Sequence, residues 1–402
     1  MQKKKNNSFK GFIDKIRKSK LKYNLIEILI IMLIVFGIGL VIGGIVMYGK
    51  GSINNKSLTL NEFISAYDEI VENFYEDVDN DKLLEAGISG MIRQLGDPYS
   101  TYMNKDAAKD FTEDVDGTYQ GIGAEIKYND NKEIVLGKIF ESSPAEKAGL
   151  MENDKLLKVN GVDISKKTLS GIADMVKGEK GTTVRITISR DGEEKELSLT
   201  RGVVDNVSVK SEIIEKNDKK IGYIYISIFA SNTTSQFKKE LEKIEKDGID
   251  SLIIDVRGNT GGYLTTVTDI ISMFMKKDAP IYQLKTKDKT EIIYDKTDES
   301  RDYKVVVLAD GGSASASELL VAAFLEIYDA QIVGTKTYGK GKVQKVSTLS
   351  SGALFKYTYQ EWLTPNGNYI DQEGINPTVE IKYEYDEIVD NQKDKAIEVI
   401  SK

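Results

Sequence analysis

The sequence predicts a multidomain α/β (α+β) protein behind a single N-terminal membrane-spanning helix. Three observations carry that prediction. Residues 28–48 are 21 consecutive uncharged, mostly apolar positions, and about 20 such residues span a bilayer as a helix. Residues 117–202 break into short strand patterns and two helix patterns separated by turn signals. From residue 203 onward, short apolar runs ending in glycine-rich turns alternate with helical patterns.

The apolar run is longer than the core of a cleavable signal peptide, and Ile45-Val46-Met47-Tyr48-Gly49-Lys50 offers no convincing small-x-small cleavage site. It therefore reads as a signal anchor over residues 24–49. Residues 1–23 hold nine Lys/Arg against Asp14 alone, a net of +8. The positive-inside rule keeps this segment cytoplasmic and exports the rest of the chain across the cell membrane. Gly39 and Gly43 form a GxxxG, a spacing that pairs some membrane helices and in others only reflects composition. Subtracting +8 from the formal −8 of the whole chain leaves −16 on residues 24–402. So acidic an exterior argues against nucleic-acid binding. The chain has no cysteine, so the exported part uses no disulfides.

Residues 58–116 form a helical region. Leu60, Phe63, Ile64, Tyr67, Ile70 and Val71 recur at three- and four-residue steps, and a second helix covers about 81–95. Asp77-Val78-Asp79-Asn80-Asp81 looks superficially like a calcium loop, but the sixth place is Lys82 rather than glycine and the twelfth is Ile88 rather than an acid. It reads as an acidic interhelical turn. Gly96-Asp97-Pro98-Tyr99-Ser100-Thr101-Tyr102 closes the region.

In residues 117–202, Ser143-Pro144-Ala145-Glu146 has a cap, a proline at the first helical position and a capping-box glutamate. Gly149 ends that helix, and Asn160-Gly161 marks a tight hairpin turn. A second helix runs from about Thr168 to Lys177 and stops at Gly178. Residues 184–190 alternate as a half-buried strand does. The order of these pieces, opened by Gly121-Ile122-Gly123-Ala124, resembles a PDZ domain in its bacterial strand order. That resemblance implies a loop whose backbone N–H groups receive a peptide's C-terminal carboxylate, while the peptide adds a strand alongside.

Residues 203–384 form the last large domain. Its strands at residues 251–256 and 305–309 end in Arg257-Gly258-Asn259-Thr260-Gly261-Gly262 and Asp310-Gly311-Gly312, and a helix comes next at about 318–327. Sites in α/β folds usually form at such junctions. Gly312-Ser313-Ala314-Ser315-Ala316-Ser317-Glu318 and Gly339-Lys340-Gly341 stand in a chain without histidine or cysteine. A Ser-His-Asp triad, a thiol nucleophile and a His-ligated metal are thereby excluded. The remaining route is a serine whose proton passes to a neutral lysine amine. A free lysine, with a pKa of about 10.4, is a poor base at neutral pH, so the amine must be buried in apolar surroundings. Glycines on both sides let the backbone carry it into a tight site. Each of the three serines can also be a helix cap, Ser317 most simply. Gly334-Thr335-Lys336-Thr337-Tyr338-Gly339-Lys340-Gly341 is one residue short of a P-loop, since Gly341 replaces the Mg²⁺-binding hydroxyl. The aromatic and apolar stretch around 353–369, with Trp362, reads as core packing, and no cofactor is implied.

Taken together, the chain resembles the C-terminal processing (tail-specific) peptidases over about residues 58–383. The resemblance is carried by the segment at 96–102, the PDZ module, Asp255-Val256-Arg257-Gly258-Asn259-Thr260-Gly261-Gly262, the serine loop, Gly339-Lys340-Gly341-Lys342-Val343-Gln344, Leu363-Thr364-Pro365-Asn366-Gly367 and Gly374-Ile375-Asn376-Pro377. It implies a crotonase-like protease core, with Ser315 as nucleophile, Lys340 as general base and Gln344 orienting the lysine. The oxyanion donors fall on the N–H groups of Gly261 and Ala316. Gly258 and Thr260 depart from the commoner Asn and Pro of that turn, and Lys177 stands near where arginine is frequent. The expected substrates are proteins or peptides with free, apolar C-termini, bound at Gly121, Ile122, Gly123 and Ala124. A catalytically silent, membrane-anchored peptide-binding scaffold is the alternative. Some relatives dimerise through terminal helices, so the tail at 385–402 either joins a homodimer interface or packs as a surface helix.

Overall fold

Strands buried on both faces are apolar along their whole length, and Ser251–Asp255 and Lys304–Ala309 sit at the centre of a sheet. The computed structural model describes residues 55–385 and 389–402. Two units are distinguished, residues 1–84 and 85–402. In the second, the central sheet has six strands in the order Val209–Lys216, Lys219–Ile226, Ser251–Asp255, Lys304–Ala309, Gln331–Gly334 and Val379–Glu380. The first two form an antiparallel hairpin and the others pair in parallel.

Side chains alternate along a strand, so Leu252 and Ile254 face one way and Ile253 the other. The first face is covered by helices Thr233–Lys246, Leu264–Ser272 and Ala316–Glu326 through Phe237, Leu241, Val267, Ile270, Leu320 and Phe324. On the second face lies helix Asn391–Ser401, whose Ala396, Ile397, Val399 and Ile400 pack on Ile221, Ile253, Val306, Leu308 and Val333. The tail, expected either at a homodimer interface or as a surface helix, packs on the central sheet of its own chain. The helix buries core rather than decorating a surface.

A second sheet joins Thr101–Met103, Leu354–Leu363, Pro280–Lys285 and Thr290–Tyr294, with Lys342–Thr348 also paired to the long strand. The segment expected to close the helical region is thus also the start of a strand. Thr101 pairs with Lys356, and the Ser100 hydroxyl accepts from the Thr358 N–H at 3.1 Å.

Residues 118–205 form the module that resembles a PDZ domain. Its main sheet runs Ala124–Tyr128, Ile134–Ile139, Lys155–Val159, Thr183–Arg190 and Glu193–Thr200. Asn160 and Gly161 both have positive φ, 51° and 78°, the turn that a two-residue hairpin requires. Ser143 caps helix Pro144–Lys147 by accepting from the Glu146 N–H at 3.2 Å. The Glu146 carboxylate reaches one residue beyond the expected partner, to the Ser142 N–H at 2.7 Å, because the Ser143 N–H is already bonded to Phe140 O. Thr168 caps the second helix, Leu169–Val176.

In the first unit, helix Asn55–Asn73 leaves Leu60, Phe63, Ile64 and Ile70 exposed. The acidic turn behaves as a helix start: Asp79 accepts from the Lys82 N–H at 3.1 Å. The basic segment and apolar stretch before residue 50 lie outside the described residues. Among those described, no helix is long and apolar enough to cross a membrane.

Candidate active site

Three segments of the domain at residues 203–384 converge: the turn at 257–262, the serine loop and the Gly339–Gly341 turn. The serine loop runs from strand Lys304–Ala309 into helix Ala316–Glu326. Ser313 and Ser317 are fully buried and spend their hydroxyls on structure, donating to Val256 O at 2.8 Å and Asn259 O at 2.7 Å. Ser315 is half-buried, and it is the residue at the helix N-cap. The capping role expected of Ser317 is therefore corrected, since its hydroxyl is needed across the gap to the neighbouring turn. Ser315 holds φ 55° and ψ −112°, an unfavourable conformation for a side chain with a Cβ and one that clusters at functional sites. It stands at a helix N-terminus, where negative charge is stabilised.

The residue that holds this geometry is Glu318. Its carboxylate is fully buried and accepts four hydrogen bonds: from the N–H of Ser315 (2.9 Å), Lys340 (2.8 Å) and Gly339 (2.6 Å), and from the Thr337 hydroxyl (2.7 Å). One side chain thus ties the serine backbone to the lysine backbone. The flanking glycines are required there. Gly339 has φ 90° and a Cβ on it would stand 2.9 Å from Gly374 N, while one on Gly341 would stand 2.8 Å from Asp371 Cβ. Trp362 is core, as expected, and its indole N–H donates to Lys340 O at 3.0 Å.

The Lys340 ammonium lies 5.0 Å from the centroid of the Tyr99 ring. Burial pushes its pKa below the ordinary lysine range, the charge of Lys356 adds to that, and Asp97 and Glu318 oppose it. Among the described residues there is no hydrogen bond from Lys340 to Ser315, nor from Gln344 to Lys340; the Gln344 amide donates instead to the Thr358 hydroxyl at 3.3 Å. Apo sites often tighten only with substrate.

Gly261 is brought against the serine. A Cβ on it would stand 3.0 Å from Ser315 Cβ and 3.1 Å from Ala316 N. Its N–H, however, donates to Asn259 Oδ1 at 2.9 Å. This departs from a free oxyanion donor, because the Asn side chain closes the turn on itself. The turn is anchored further by Asp310, which accepts from the N–H of Gly258 and of Gly312, both at 2.9 Å. At its start, Arg257 binds Asp255, Asp390 and Gln392.

In the PDZ module, Gly121, Ile122 and Gly123 are buried and Ala124 opens the edge strand Ala124–Tyr128. Gly123 has φ 79°, and a Cβ there would stand 2.3 Å from Ser143 Cβ. Lys177, at the end of the second helix, lies 5.8 Å from the Tyr119 ring centroid. A chain of contacts runs from the residues just before this module, Val115 and Gly117, to the turn at 257–262. Asn232 donates to Gly117 O at 2.8 Å, Ser231 N–H to Val115 O at 3.0 Å, and Phe229 N–H to Gly261 O at 2.9 Å.

Local sequence missed Glu318 as the tie, although a glutamate three residues after a capping serine is a capping-box signature. It also missed Lys356 and the Arg257–Asp390 contact, for which it carries no local signal.

A half-buried serine on a strained strand-to-helix turn, tied through Glu318 to a half-buried lysine and joined to a PDZ module, defines a serine hydrolase with a peptide-recognition domain. Comparison with known proteins narrows the class. Models of peptidase family S41, of the PDZ domain and of the "Activating protease CtpB N-terminal domain" match residues 220–381, 120–200 and 46–107. The chain is 39% identical over 335 residues to the carboxy-terminal processing protease CtpB of Bacillus subtilis, covering 82% of this chain and 69% of that one. It is 38% identical over 361 residues to a protein of Staphylococcus haemolyticus described as a CtpA-like serine protease, covering 87% and 72%. A solved Bacteroides fragilis structure described as an S41 protease shares the fold, with a TM-score of 0.51, 16% identity and coverage of 82% and 91%. The chain belongs to the carboxy-terminal processing serine proteases of peptidase family S41.

Proposed function

We propose that the protein is a membrane-anchored endopeptidase that cleaves extracytoplasmic proteins selected by their C-terminal tails, with Ser315 and Lys340 as a catalytic dyad. One observation carries the dyad: Glu318 binds the backbones of both residues, and Ser315 is the one serine of its loop whose hydroxyl is neither fully buried nor committed to a carbonyl. In acylation, Ser315 Oγ attacks the substrate carbonyl carbon and its proton passes to the neutral Lys340 amine. The tetrahedral oxyanion is stabilised by the Ala316 N–H at the helix start, joined by Gly261 once its N–H shares its bond to Asn259. Lys340 then gives the proton to the leaving amine, and water hydrolyses the acyl-enzyme by the same relay in reverse. Gln344 offers the lysine a neutral carbonyl, which orients the amine without raising its pKa as a carboxylate does.

The PDZ loop at Gly121–Ala124 receives the tail carboxylate, and the edge strand Ala124–Tyr128 pairs with the tail backbone. Tail binding aligns the dyad through the contacts from Gly117 and Val115 to Gly261. The basic residues 1–23 and the apolar segment 24–49 place the catalytic part outside the cytoplasm. Trapping substrates on a Ser315→Ala protein and sequencing their C-termini tests the reading. It predicts a shared apolar ending; captured proteins without a common tail chemistry contradict it. A reporter fused after residue 56 tests the orientation, which fails if the reporter is active in the cytoplasm.

A further inference from the structure

Lys340 is held at its backbone and at its amine by different kinds of partner. Its N–H donates to Glu318 at 2.8 Å, and its C=O accepts from the Trp362 indole at 3.0 Å. Its amine sits over the face of the Tyr99 ring, 5.0 Å from the centroid. Among the described residues no carboxylate stands within 4.0 Å of that amine, and nothing accepts a hydrogen bond from it. Lys342, by contrast, pairs with both Glu361 and Asp371. The half-buried Tyr99 is itself fixed. Its N–H donates to Asp97 at 3.2 Å, and Asp97 also accepts from the Ser100 hydroxyl. That hydroxyl accepts from the Thr358 N–H at 3.1 Å, and Thr101 pairs with Lys356. The loop is thus stitched to strand Leu354–Leu363, whose Trp362 holds the Lys340 carbonyl. One strand fixes both the lysine backbone and the ring that its amine faces.

We propose that the Tyr99 ring is the seat of the Lys340 amine during catalysis, its face stabilising the ammonium that forms when Ser315 gives up its proton. The proposal rests on the reading of Lys340 as the base. In acylation the Ser315 O–H bond breaks and an N–H bond forms on Lys340 Nζ. When the tetrahedral intermediate collapses, that N–H bond breaks together with the substrate C–N bond, and the proton goes to the leaving nitrogen. A positive charge therefore appears and disappears in front of the ring. An aromatic face attracts an ammonium through its quadrupole, more strongly where water is partly excluded. A carboxylate in contact would attract it more, and would hold the proton on the lysine before serine could supply one. The ring supplies the weaker hold that a base needs if it is to pass its proton on. Burial and the nearby charges of Asp371, Tyr338, Glu318 and Asp97 raise the pKa of the Tyr99 phenol, so the ring stays neutral while the lysine titrates.

The test is a series at position 99 in the full-length protein: Tyr99→Phe as the reference, then mono-, di- and trifluorinated phenylalanine, and Tyr99→Leu. Fluorine draws electron density from the ring face and leaves its shape nearly unchanged, so a merely structural ring is indifferent to it. Turnover is read on the alkaline plateau, where the amine starts neutral and the ammonium exists only during reaction. There kcat falls stepwise with fluorination, by about fivefold across the series, with KM steady. Tyr99→Leu, which is apolar but has no ring face, falls at least as far below Tyr99→Phe. A flat or rising series in folded proteins overturns the proposal, and so does a folded Tyr99→Leu protein that matches Tyr99→Phe, since the ring would then be only an apolar cover. If Tyr99→Leu does not fold, the fluorinated rings decide alone. Lys340→Ala, measured beside them, separates the two readings. Turnover retained in Lys340→Ala removes the lysine as base and the seat with it; turnover lost there with a flat fluorinated series removes the seat alone.

Discussion

Arg257 and Asp390, 133 residues apart, meet through two hydrogen bonds of 2.9 and 2.7 Å. The contact fastens the C-terminal helix to the first residue of the turn that carries Gly261. Arg257 is well buried and shares Asp255 as a second carboxylate.

Replacing Asp390 with alanine leaves that guanidinium underpaired and costs about 2 kcal/mol of stability. Urea unfolding measures it. The turn also loosens, so kcat falls more than KM rises. The pH dependence has a definite sign. Burial raises the Asp390 pKa, but hydrogen bonds from Arg257 and the Lys393 N–H outweigh it, and its carboxyl is held below the ordinary range. Its folded pKa lies below the unfolded value of about 3.9, so its contribution is full above that pH and is lost as pH falls through the folded value. An Asp390→Ala protein whose stability matches the parent at neutral pH would remove this latch from the account.

Glu318 is the second point of failure. Glu318→Gln keeps the shape but turns an NH₂ toward N–H donors, leaving buried groups unpaired at a cost of about 3 kcal/mol. Because the same carboxylate holds Ser315 and Lys340, kcat falls on the order of 100-fold while KM changes little. Steady-state kinetics on the folded variant decide it; a change in KM alone speaks against a tie between the two loops.

These two residues show where the sequence stopped being legible. Elements defined by local pattern were readable. The strand expected at 251–256 is Ser251–Asp255, the helix expected at about 318–327 is Ala316–Glu326, and Thr168 and Asn160-Gly161 play their expected parts. The Ser315, Ala316 and Gly261 cluster was reachable through family motifs. The Arg257–Asp390 and Ser100–Thr358 contacts, 133 and 258 residues apart, have no periodicity to betray them. Ser317 was misassigned because a capping hydroxyl and a hydroxyl bridging to Asn259 O look alike in sequence.

Gly261→Ala tests the close approach of the two turns. Gly261 has φ 108°, and a Cβ would meet Ala314 O at 2.9 Å. The backbone must shift by several tenths of an ångström at the oxyanion site, so kcat drops on the order of 100-fold or more. Circular dichroism should show the fold intact. Near-normal turnover would mean that this turn does not shape the transition state.

Tail selection has its own test. Amidating the C-terminus of a model substrate removes its charge with little change of shape, and kcat/KM should fall several-fold. Bulky or charged replacements in the loop Gly121–Ala124 should reproduce that fall. Equal cleavage of amidated and free-acid substrates would leave the PDZ loop without a role in selection.

The most direct measurement of the central claim is kcat/KM for Lys340→Arg beside Ser315→Ala, each verified as folded by its melting transition. A guanidinium stays protonated and cannot accept the serine proton. Both variants should lose on the order of 1,000-fold or more, as removal of one member of a catalytic set does, while substrate binding to Ser315→Ala persists. A folded Lys340→Arg protein that cleaves within tenfold of the parent would contradict the account, because the base would then lie elsewhere.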